Sequence, residues 1–408
     1  MPEAVIVDAV RTPIGRAFKG SLTGMRPDDL GAHVIDQLLE RNPDVQSEDV
    51  EDLICGCGLP QGEQSYNIAR TIGLLSRLPD TTTATTVHRY CASSLQAIRI
   101  AAHAVKAGEG DTFIAAGVEH VSRVGPWSED GLPQLMGAII AKAPDEVKGQ
   151  IPKPEFKNEK IDGHDGRTDA YISMGETAEN VADRYDVARD DMDRYAQRSQ
   201  ERAVEARDSG FFDREIVAVE LPDGGGTVDK DDGPRADSSF EKLNGLKPVF
   251  REDGRVTAGN SCPLNDGAAA VLVMSEERAN ELGLKPRARI VASATSGLEP
   301  EIMGVAPIGA IRKVLERAGM SIGDIDIVEL NEAFAAQVIP IADEIGIDYD
   351  KLNPHGGAIA LGHPFGMTGA RIMTTLLNGL ESSDGQIGLE TMCVAGGQGM
   401  AMVVERLD

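Results

Sequence analysis

An internal duplication is the feature of this sequence that most constrains its fold. One order of predicted elements, namely strand, helix, acidic turn, strand, helix and strand, occurs twice along the chain. The first copy has strands at 4–9, 50–56 and 112–117, a helix at 28–40, and a second helix that ends at Gly108. The second copy has strands at 289–294, 323–330, 388–393 and 399–405, a helix at 308–318, and a helix at 369–377 that ends near Gly379. Alternation of this kind predicts an α/β protein with mixed sheets covered by helices.

The stretch between the copies has a different composition. It is richer in glycine, proline and charge, and its short amphipathic helices are predicted at 175–185 and 189–208. A strand at 268–274 then returns the chain to the first copy. We therefore predict the following division: an N-terminal half at 1–118, an inserted loop domain at 119–262, a return strand and helix at 263–285, and a C-terminal half at 286–408.

Charge and composition exclude several classes of partner. The formal net charge is -26, from 40 basic and 66 acidic side chains, so the protein's field repels nucleic acid and anionic lipid. No apolar run reaches the roughly 18 residues of a membrane span. The five cysteines are an odd number, and the N-terminus has no basic leader, which together predict free thiols in the cytoplasm.

Cys91 is the first candidate for chemistry, because it lies just before a predicted apolar helix. Unpaired N–H groups and the positive end of the helix dipole stabilise a thiolate at such a position, so we expect the pKa of Cys91 to be lowered. A buried cysteine is, however, more often a small hydrophobic residue than a nucleophile.

The corresponding turn of the second copy supplies a histidine. Residues 353–364 are dense in glycine and end in His363-Pro364, again before a helix. If the copies pack about a pseudo-dyad, Cys91 and His363 approach each other from two helix starts, and a Cys–His pair activates a thiol. His355 in the same segment is expected to be structural or to line the substrate site.

Two further polar segments directly follow strands of the second copy. Asn331-Glu332-Ala333-Phe334 follows the strand at 323–330, and Cys393 ends the strand at 388–393, before a glycine turn. Active sites of α/β sheets gather at the carboxyl ends of strands, so these residues are expected to lie near His363.

These four segments together carry a family resemblance. Cys-x-Ser at Cys91, Asn-Glu-Ala-Phe at Asn331, Gly-His-Pro at His363 and Cys-x-x-Gly-Gly at Cys393 occur in the order of the four catalytic loops of the thiolase superfamily. The resemblance covers nearly the whole chain. It implies the five-layer αβαβα thiolase fold with two pseudo-symmetric halves, a homodimer or homotetramer, coenzyme A or acetyl-CoA as cosubstrate, and neither a permanent cofactor nor a metal.

The resemblance also implies a role for each residue. Cys91 would carry the acyl group, and His363 would take its proton. Cys393 would move the proton at the carbon next to the acetyl thioester carbonyl. Asn331 would hold a water that forms one oxyanion hole with His363, and the backbone N–H groups of Cys91 and Ala395 would form the other. Ala395 replaces a common glycine and can serve if its φ is negative.

Four residues are candidates for contact with substrate or coenzyme A. Ser173, beside Met174, replaces a histidine of biosynthetic acetoacetyl-CoA thiolases, and Cys262 replaces a serine that often contacts pantetheine. Both replacements favour an enzyme that is not restricted to acetoacetyl-CoA. Arg235 matches a family position near the nucleotide, although a surface ion pair explains it as readily.

The resemblance implies a thiolase that cleaves 3-ketoacyl-CoA with coenzyme A or condenses acetyl-CoA, and we favour the degradative direction. Two alternatives remain at this stage. One is a decarboxylating, ketosynthase-like condensing enzyme, although such enzymes typically lack the cysteine at position 393. The other is a non-catalytic relative that binds acyl-CoA. Preference for acyl length is expected to depend on loops near 124–151.

Overall fold

The structure is a computed structural model, which describes residues 2–124 and 158–407. The loops near 124–151 that were expected to set the acyl length therefore lie almost wholly outside the described residues. The strands are β1 (Ala4–Arg11), β2 (Gly15–Arg16), β3 (Asp52–Cys57), β4 (Thr83–Val87), β5 (Thr112–His120), β6 (Val219–Glu220), β7 (Thr227–Val228), β8 (Asn265–Ser275), β9 (Ala288–Gly297), β10 (Ile327–Leu330), β11 (Ile387–Val394) and β12 (Gln398–Arg406). The helices are α1 (Pro27–Arg41), α2 (Ile68–Leu75), α3 (Ser93–Ala107), α4 (Val121–Val124), α5 (Met174–Arg184), α6 (Arg189–Asp208), α7 (Phe240–Asn244), α8 (Glu276–Glu281), α9 (Pro307–Ala318), α10 (Ala335–Ile345), α11 (Ala358–Leu361) and α12 (Thr368–Ser383).

The strand pairing confirms the predicted duplication. In the first half β3 lies parallel to β5, and β5, β8 and β1 follow as antiparallel neighbours. In the second half β10 lies parallel to β11. β11 then pairs antiparallel with β12, and β12 pairs antiparallel with β9. The halves meet through a short antiparallel pairing between β1 and β9, so their strands form one continuous path.

Three apolar clusters define five layers. The middle cluster joins α3 and α12 to the inner faces of both half-sheets. A second cluster packs α1 and α2 against the outer face of the first half, and a third packs α9 and α10 against the outer face of the second. Representative side chains are Leu95 and Met373 in the middle layer, Val34 and Ile72 outside the first half, and Ile311 and Ile341 outside the second. This arrangement confirms the predicted αβαβα fold.

The end of α12 corrects one expectation. Gly379 was predicted to end this helix, but the helix continues to Ser383 and ends where Asp384 has a left-handed φ of 55°. Gly379 lies inside the helix, where an added Cβ would be 3.1 Å from Ile327 Cδ1 and 3.3 Å from the ring of His355. The glycine therefore permits close packing against β10 and the segment before His363 and does not end the helix.

The strands on either side of the inserted segment lie close to its two predicted limits. β5 runs to His120, and β8 begins at Asn265, so the domain limits at 119 and 262 remain predictions. Arg11 of β1 holds part of this segment through buried ion pairs, with Nε 2.7 Å from Glu215 Oε1 and Nη1 2.7 Å from Asp231 Oδ1.

Among the described helices, none is long and apolar enough to cross a membrane.

The two middle helices approach backbone to backbone near their N-termini. A Cβ added to Gly369 of α12 would lie 2.4 Å from the backbone nitrogen of Leu95 in α3. The N–H of Ala370 donates to Ser94 Oγ at 2.9 Å in the same contact. The first turns of α3 and α12 are therefore held against each other, together with the segments that precede them.

Gly369→Ala is expected to destabilise the protein. An alanine normally favours a helix interior, but here its Cβ would push apart two backbones, and overpacking of this kind costs about 1–3 kcal/mol. Thermal unfolding of the purified variants measures the effect. The control is Gly24→Ala, because an added Cβ at Gly24 meets nothing within 4 Å. Equal unfolding temperatures for both variants and the unaltered protein would contradict the close contact.

Candidate active site

A cavity of about 540 Å³ opens at the N-terminal end of α3. Both halves of the fold contribute to it. Its walls are Gly58 and Leu59 after β3, Tyr90 and Cys91 before α3, residues 170–174, Phe365, and Ala395 with Gly396 after β11. The cavity therefore lies where the carboxyl ends of β3 and β11 meet the start of a middle helix, as expected for an α/β sheet.

Cys91 lies in a 3₁₀ turn, Tyr90–Ala92, directly before α3. Ser93 fixes this turn, because its Oγ accepts from Arg89 N at 2.9 Å and donates to Tyr90 O at 2.6 Å. Cys91 is only 8% exposed. Burial raises the pKa of its thiol well above the ordinary value, and the neighbouring Cys393 and Cys262 raise it further. The expectation of a lowered pKa is therefore wrong for the ligand-free protein, because desolvation outweighs the helix start.

His363 is buried behind the cavity, and its hydrogen bonds define its tautomer. Thr368 Oγ1 donates to Pro364 O at 2.8 Å, so it must accept from His363 Nδ1, which is 2.6 Å away. Nδ1 thus carries the proton, and Nε2 keeps its lone pair. Burial and, to a lesser extent, the charge of Arg371 together lower the pKa of His363 to about 3. The ring is a neutral base.

Asn331 and Cys393 complete the predicted set. Asn331 Nδ2 lies 3.3 Å from His363 Nε2, and Asn331 Oδ1 has no hydrogen-bond partner among the described residues. Cys393 Sγ accepts a hydrogen bond from Gln337 Nε2 at 3.0 Å. Burial raises the pKa of Cys393 to about 11, so it is a protonated thiol at neutral pH.

No direct hydrogen bond links Cys91 to His363 or Cys393, all three of which lie in the described part of the chain. The structure thus brings His363 together with Asn331, and places Cys91 and Cys393 close enough for their charges to interact. Catalytic hydrogen bonds are often loose without ligand and shorten when substrate binds.

Ala395 has a backbone suited to the predicted oxyanion hole. It is absent from the residues with positive φ, whereas Gly396 and Gly397, which follow it, have φ of 78° and 79°. Within residues 2–124 and 158–407, the N–H groups of Cys91 and Ala395 donate to no other residue. Two backbone donors on the wall of one cavity are therefore available to an oxygen of a ligand.

A hydrogen-bonded chain connects the turn of Cys91 to the turn of Ala395. Arg89 Nη1 donates to Gln398 Oε1 at 3.0 Å, and Gln398 Nε2 donates to Ala395 O at 3.3 Å. Arg89 belongs to the first half and Gln398 to the second. The chain thus fixes the peptide of Ala395 relative to the turn that holds Cys91.

Glu332, the residue after Asn331, is held in place by hydrogen bonds to its carboxylate. Its carboxylate accepts from Tyr195 OH at 2.8 Å and from Ser199 Oγ at 2.6 Å, both on α6, and from Asn353 Nδ2 at 2.8 Å. Glu332 is 1% exposed. The inserted segment and the loop before His363 are therefore tied to the residue next to Asn331.

The other predicted residues have different surroundings. Ser173 and Met174 line the cavity, and Cys262 is half-buried, with its N–H bonded to Ala333 O at 3.0 Å. Arg235 is exposed and lies outside the described cavity wall, so its contact with coenzyme A stays a prediction.

His355 is set apart from the cavity. Its ring stacks on Phe211 at 3.6 Å between centroids, and burial lowers its pKa to about 4. Of the two roles expected for it, the structural one therefore fits the described contacts. Across the described ranges, no group of three or more His, Cys, Asp or Glu side chains is arranged to hold a metal ion.

Three residues that form hydrogen bonds with residues of the candidate site were not predicted from the sequence: Thr368, Gln337 and Glu119. Thr368 and Gln337 lie five and six residues beyond His363 and Asn331, within helices, where no pattern distinguishes them. Glu119 offered a signal, because it is an acidic residue that continues an otherwise apolar strand. A buried charge of this kind needs partners and indicates a specific network.

Comparisons with known proteins agree with the geometry. The family description for the thiolase N-terminal domain matches residues 4–277, and that for the thiolase C-terminal domain matches residues 284–406. A beta-ketoadipyl-CoA thiolase of Escherichia coli is 46% identical, and a 3-ketoacyl-CoA thiolase of Bacillus subtilis is 42% identical. The first alignment covers 100% of both chains, and the second covers 99% of this chain and 100% of its relative. The crystal structure of the Bacillus anthracis acetyl-CoA acetyltransferase superposes with a TM-score of 0.88 at 38% identity, over 100% of this chain and 99% of that one.

Alkylation of Cys91 by iodoacetamide is expected to increase throughout the range from about pH 7 to about pH 10. Only the thiolate reacts, and below the raised pKa its population grows about tenfold per pH unit. Peptide mass spectrometry quantifies alkylation at Cys91, with glutathione as the free-thiol control that levels off above its own pKa. A Cys91 rate that levels off below about pH 8.5 would instead indicate a lowered pKa.

Proposed function

The chain belongs to the thiolase family, and on that premise we propose that it cleaves 3-ketoacyl-CoA with coenzyme A, through an acyl group carried by Cys91. The single observation that carries this proposal is the cavity that brings Cys91 to the same wall as the backbone N–H of Ala395. The same steps in reverse condense an acyl group with acetyl-CoA.

The first half of the reaction transfers the acyl group. Cys91 Sγ attacks the 3-keto carbon while its proton passes to Nε2 of His363, which is the unprotonated ring nitrogen because Nδ1 donates to Thr368. The bond between the second and third carbons breaks, and the electron pair forms the enolate of acetyl-CoA. Cys393 then protonates the enolate carbon, so acetyl-CoA leaves. Burial holds Cys393 as a protonated acid before this step.

Two sets of donors stabilise the negative charge that develops. The enolate oxygen is bound by the protonated Nε2 of His363 and a water held by Asn331, whose amide lies against that nitrogen. The tetrahedral oxygen on the acyl carbon is bound by the backbone N–H groups of Cys91 and Ala395. Donors fixed before the reaction need no reorganisation when charge develops.

The second half regenerates the protein. The thiol of coenzyme A attacks the acyl carbon, and its proton passes to the thiolate of Cys393, which receives a hydrogen bond from Gln337. The tetrahedral intermediate collapses with Cys91 as the leaving thiolate, which recovers its proton from His363. All three groups return to the neutral state that burial favours.

We extend this proposal to the degradative direction, a cytoplasmic location and a homo-oligomeric assembly. All five cysteines are free, which suits the reducing conditions of the cytoplasm. A homodimer or homotetramer is supported by β4, an edge strand of the described sheet that leaves its outer side unpaired. The second cysteine, Cys393, counts against a decarboxylating condensing enzyme, because such enzymes do not need its proton transfer.

The cavity favours an uncharged acyl chain. The described wall includes Leu59, Ile172, Met174 and Phe365 and contains no lysine, arginine or histidine. An unpaired carboxylate would lose its hydration there at a cost of several kcal/mol. The beta-ketoadipyl-CoA named for the Escherichia coli relative ends in such a carboxylate, so we propose that this chain prefers a 3-ketoacyl-CoA without a terminal charge.

A matched pair of substrates tests both the activity and this preference. 3-Oxohexanoyl-CoA and 3-oxoadipyl-CoA have the same chain length and differ in the terminal carboxylate. We expect thiolysis of both, with kcat/KM at least about tenfold higher for 3-oxohexanoyl-CoA. Loss of the 3-ketoacyl-CoA absorbance with coenzyme A present measures the rate.

The two parts of the proposal fail in different ways. No turnover with either substrate, or with longer 3-ketoacyl-CoAs, would show that the chain is not a thiolytic enzyme. Turnover with equal or higher kcat/KM for 3-oxoadipyl-CoA would leave the activity intact and refute the preference for an uncharged chain.

A further inference from the structure

Glu119 is a fully buried carboxylate at the end of β5 that the catalytic steps do not use. Four N–H donors reach it, and the thiol of Cys57 also donates to Oε1 at 4.0 Å. Oε2 accepts from Gly58 N and Gly366 N, both at 2.8 Å, and Oε1 accepts from Gln64 Nε2 at 2.6 Å and Leu59 N at 3.2 Å. Each oxygen therefore accepts from two N–H donors, and neither has a lone-pair direction left for a proton of its own.

Three of the N–H donors lie in or next to two parts of the acyl cavity wall. Gly58 and Leu59 follow β3 of the first half and line the cavity directly. Gly366 follows Phe365, another wall residue, and lies three residues after His363 of the second half. A single carboxylate thus joins the wall of one half to the histidine segment of the other.

The turn after His363 packs closely against β5. A Cβ added to Gly366 would be 2.3 Å from Val118 O, and one added to Gly117 would be 2.2 Å from Gly366 O. The turn after His363 therefore lies in backbone contact with β5. The hydrogen bond from Gly366 N to Glu119 Oε2 joins the same turn to the end of β5.

We propose that Glu119 is a positioning residue, which holds the turn after β3 and the turn after His363 in the arrangement that the thiolase reaction requires. This inference rests on the proposed function and assigns a role to a residue outside the catalytic set. Only the ionised carboxylate fits the role. A proton on either oxygen would face an N–H donor and displace one of the two turns.

The surroundings of Glu119 place its ionisation near neutrality. Burial raises its pKa to about 7, although the four hydrogen bonds lower it. The titratable groups that face it are the thiols of Cys55 and Cys57 on β3 and that of Cys91. His120 points away, with Nε2 3.0 Å from Leu22 O and Nδ1 3.5 Å from Asp266. We therefore expect the carboxylate to hold both turns well above pH 7 and to lose this hold progressively as the pH falls through about 7.

The test compares pH profiles of kcat/KM for thiolysis of 3-oxohexanoyl-CoA. The unaltered enzyme is expected to lose activity on the acid side of about pH 7. Glu119→Gln directs an NH₂ group at N–H donors, so we expect kcat/KM at about pH 8 to fall about tenfold or more, through kcat, with the KM for coenzyme A unchanged. Its profile should also lose the acid limb, because the titrating group is gone. Glu109→Gln is the control, since Glu109 is exposed, and it should match the unaltered enzyme.

Glu119→Asp keeps the test decisive if Glu119→Gln does not fold. The shorter carboxylate still titrates but cannot reach both turns, so we expect lowered kcat with the acid limb retained. A folded Glu119→Gln variant with the unaltered rate and limb, or a Glu119→Asp variant with the unaltered rate, would overturn the proposal. An unaltered enzyme without any thiolysis would refute the proposed function and is recognised before the variants are compared.

Discussion

In the middle layer, the first turns of α3 and α12 touch backbone to backbone because residue 369 has no side chain. The turn with Cys91 directly precedes α3, and the segment with His363 directly precedes α12. Their contact decides how the nucleophile of one half meets the base of the other. A side chain at position 369 would separate them, whatever residues the two turns carried.

Burial determines the protonation state of the site in the absence of substrate. The same desolvation raises the pKa of Cys91 and Cys393 and lowers that of His363, so all three groups are neutral without substrate. Charge is expected only when a thioester is bound. Hydrogen-bond donors that are already in place then stabilise this charge. Thr368 holds His363 in place, and Gln398 holds the turn of Ala395. A neutral resting site also explains why the helix start alone does not yield a thiolate.

The sequence predicted the fold well, because a duplicated order of strands and helices leaves few ways to pack. It also singled out the four segments that we propose to be catalytic, since each combines a reactive residue with a nearby glycine or helix start. It misjudged Gly379 because a glycine that ends a helix and one that permits close packing look alike in sequence. It misjudged the pKa of Cys91 because burial depends on residues from both halves, and it missed Glu119 because that residue's donors are distant in the chain.

The central claim is that Cys91 carries the acyl group while Cys393 only moves protons. Incubation of a Cys393→Ala variant with acetyl-CoA, followed by peptide mass spectrometry and a thiolysis assay, tests this division most directly. We predict an acetyl group on Cys91 at the level of the unaltered enzyme, with carbon–carbon cleavage slowed by about 10²–10⁴-fold. An acetyl group on another residue, or near-normal cleavage by the variant, would contradict the account.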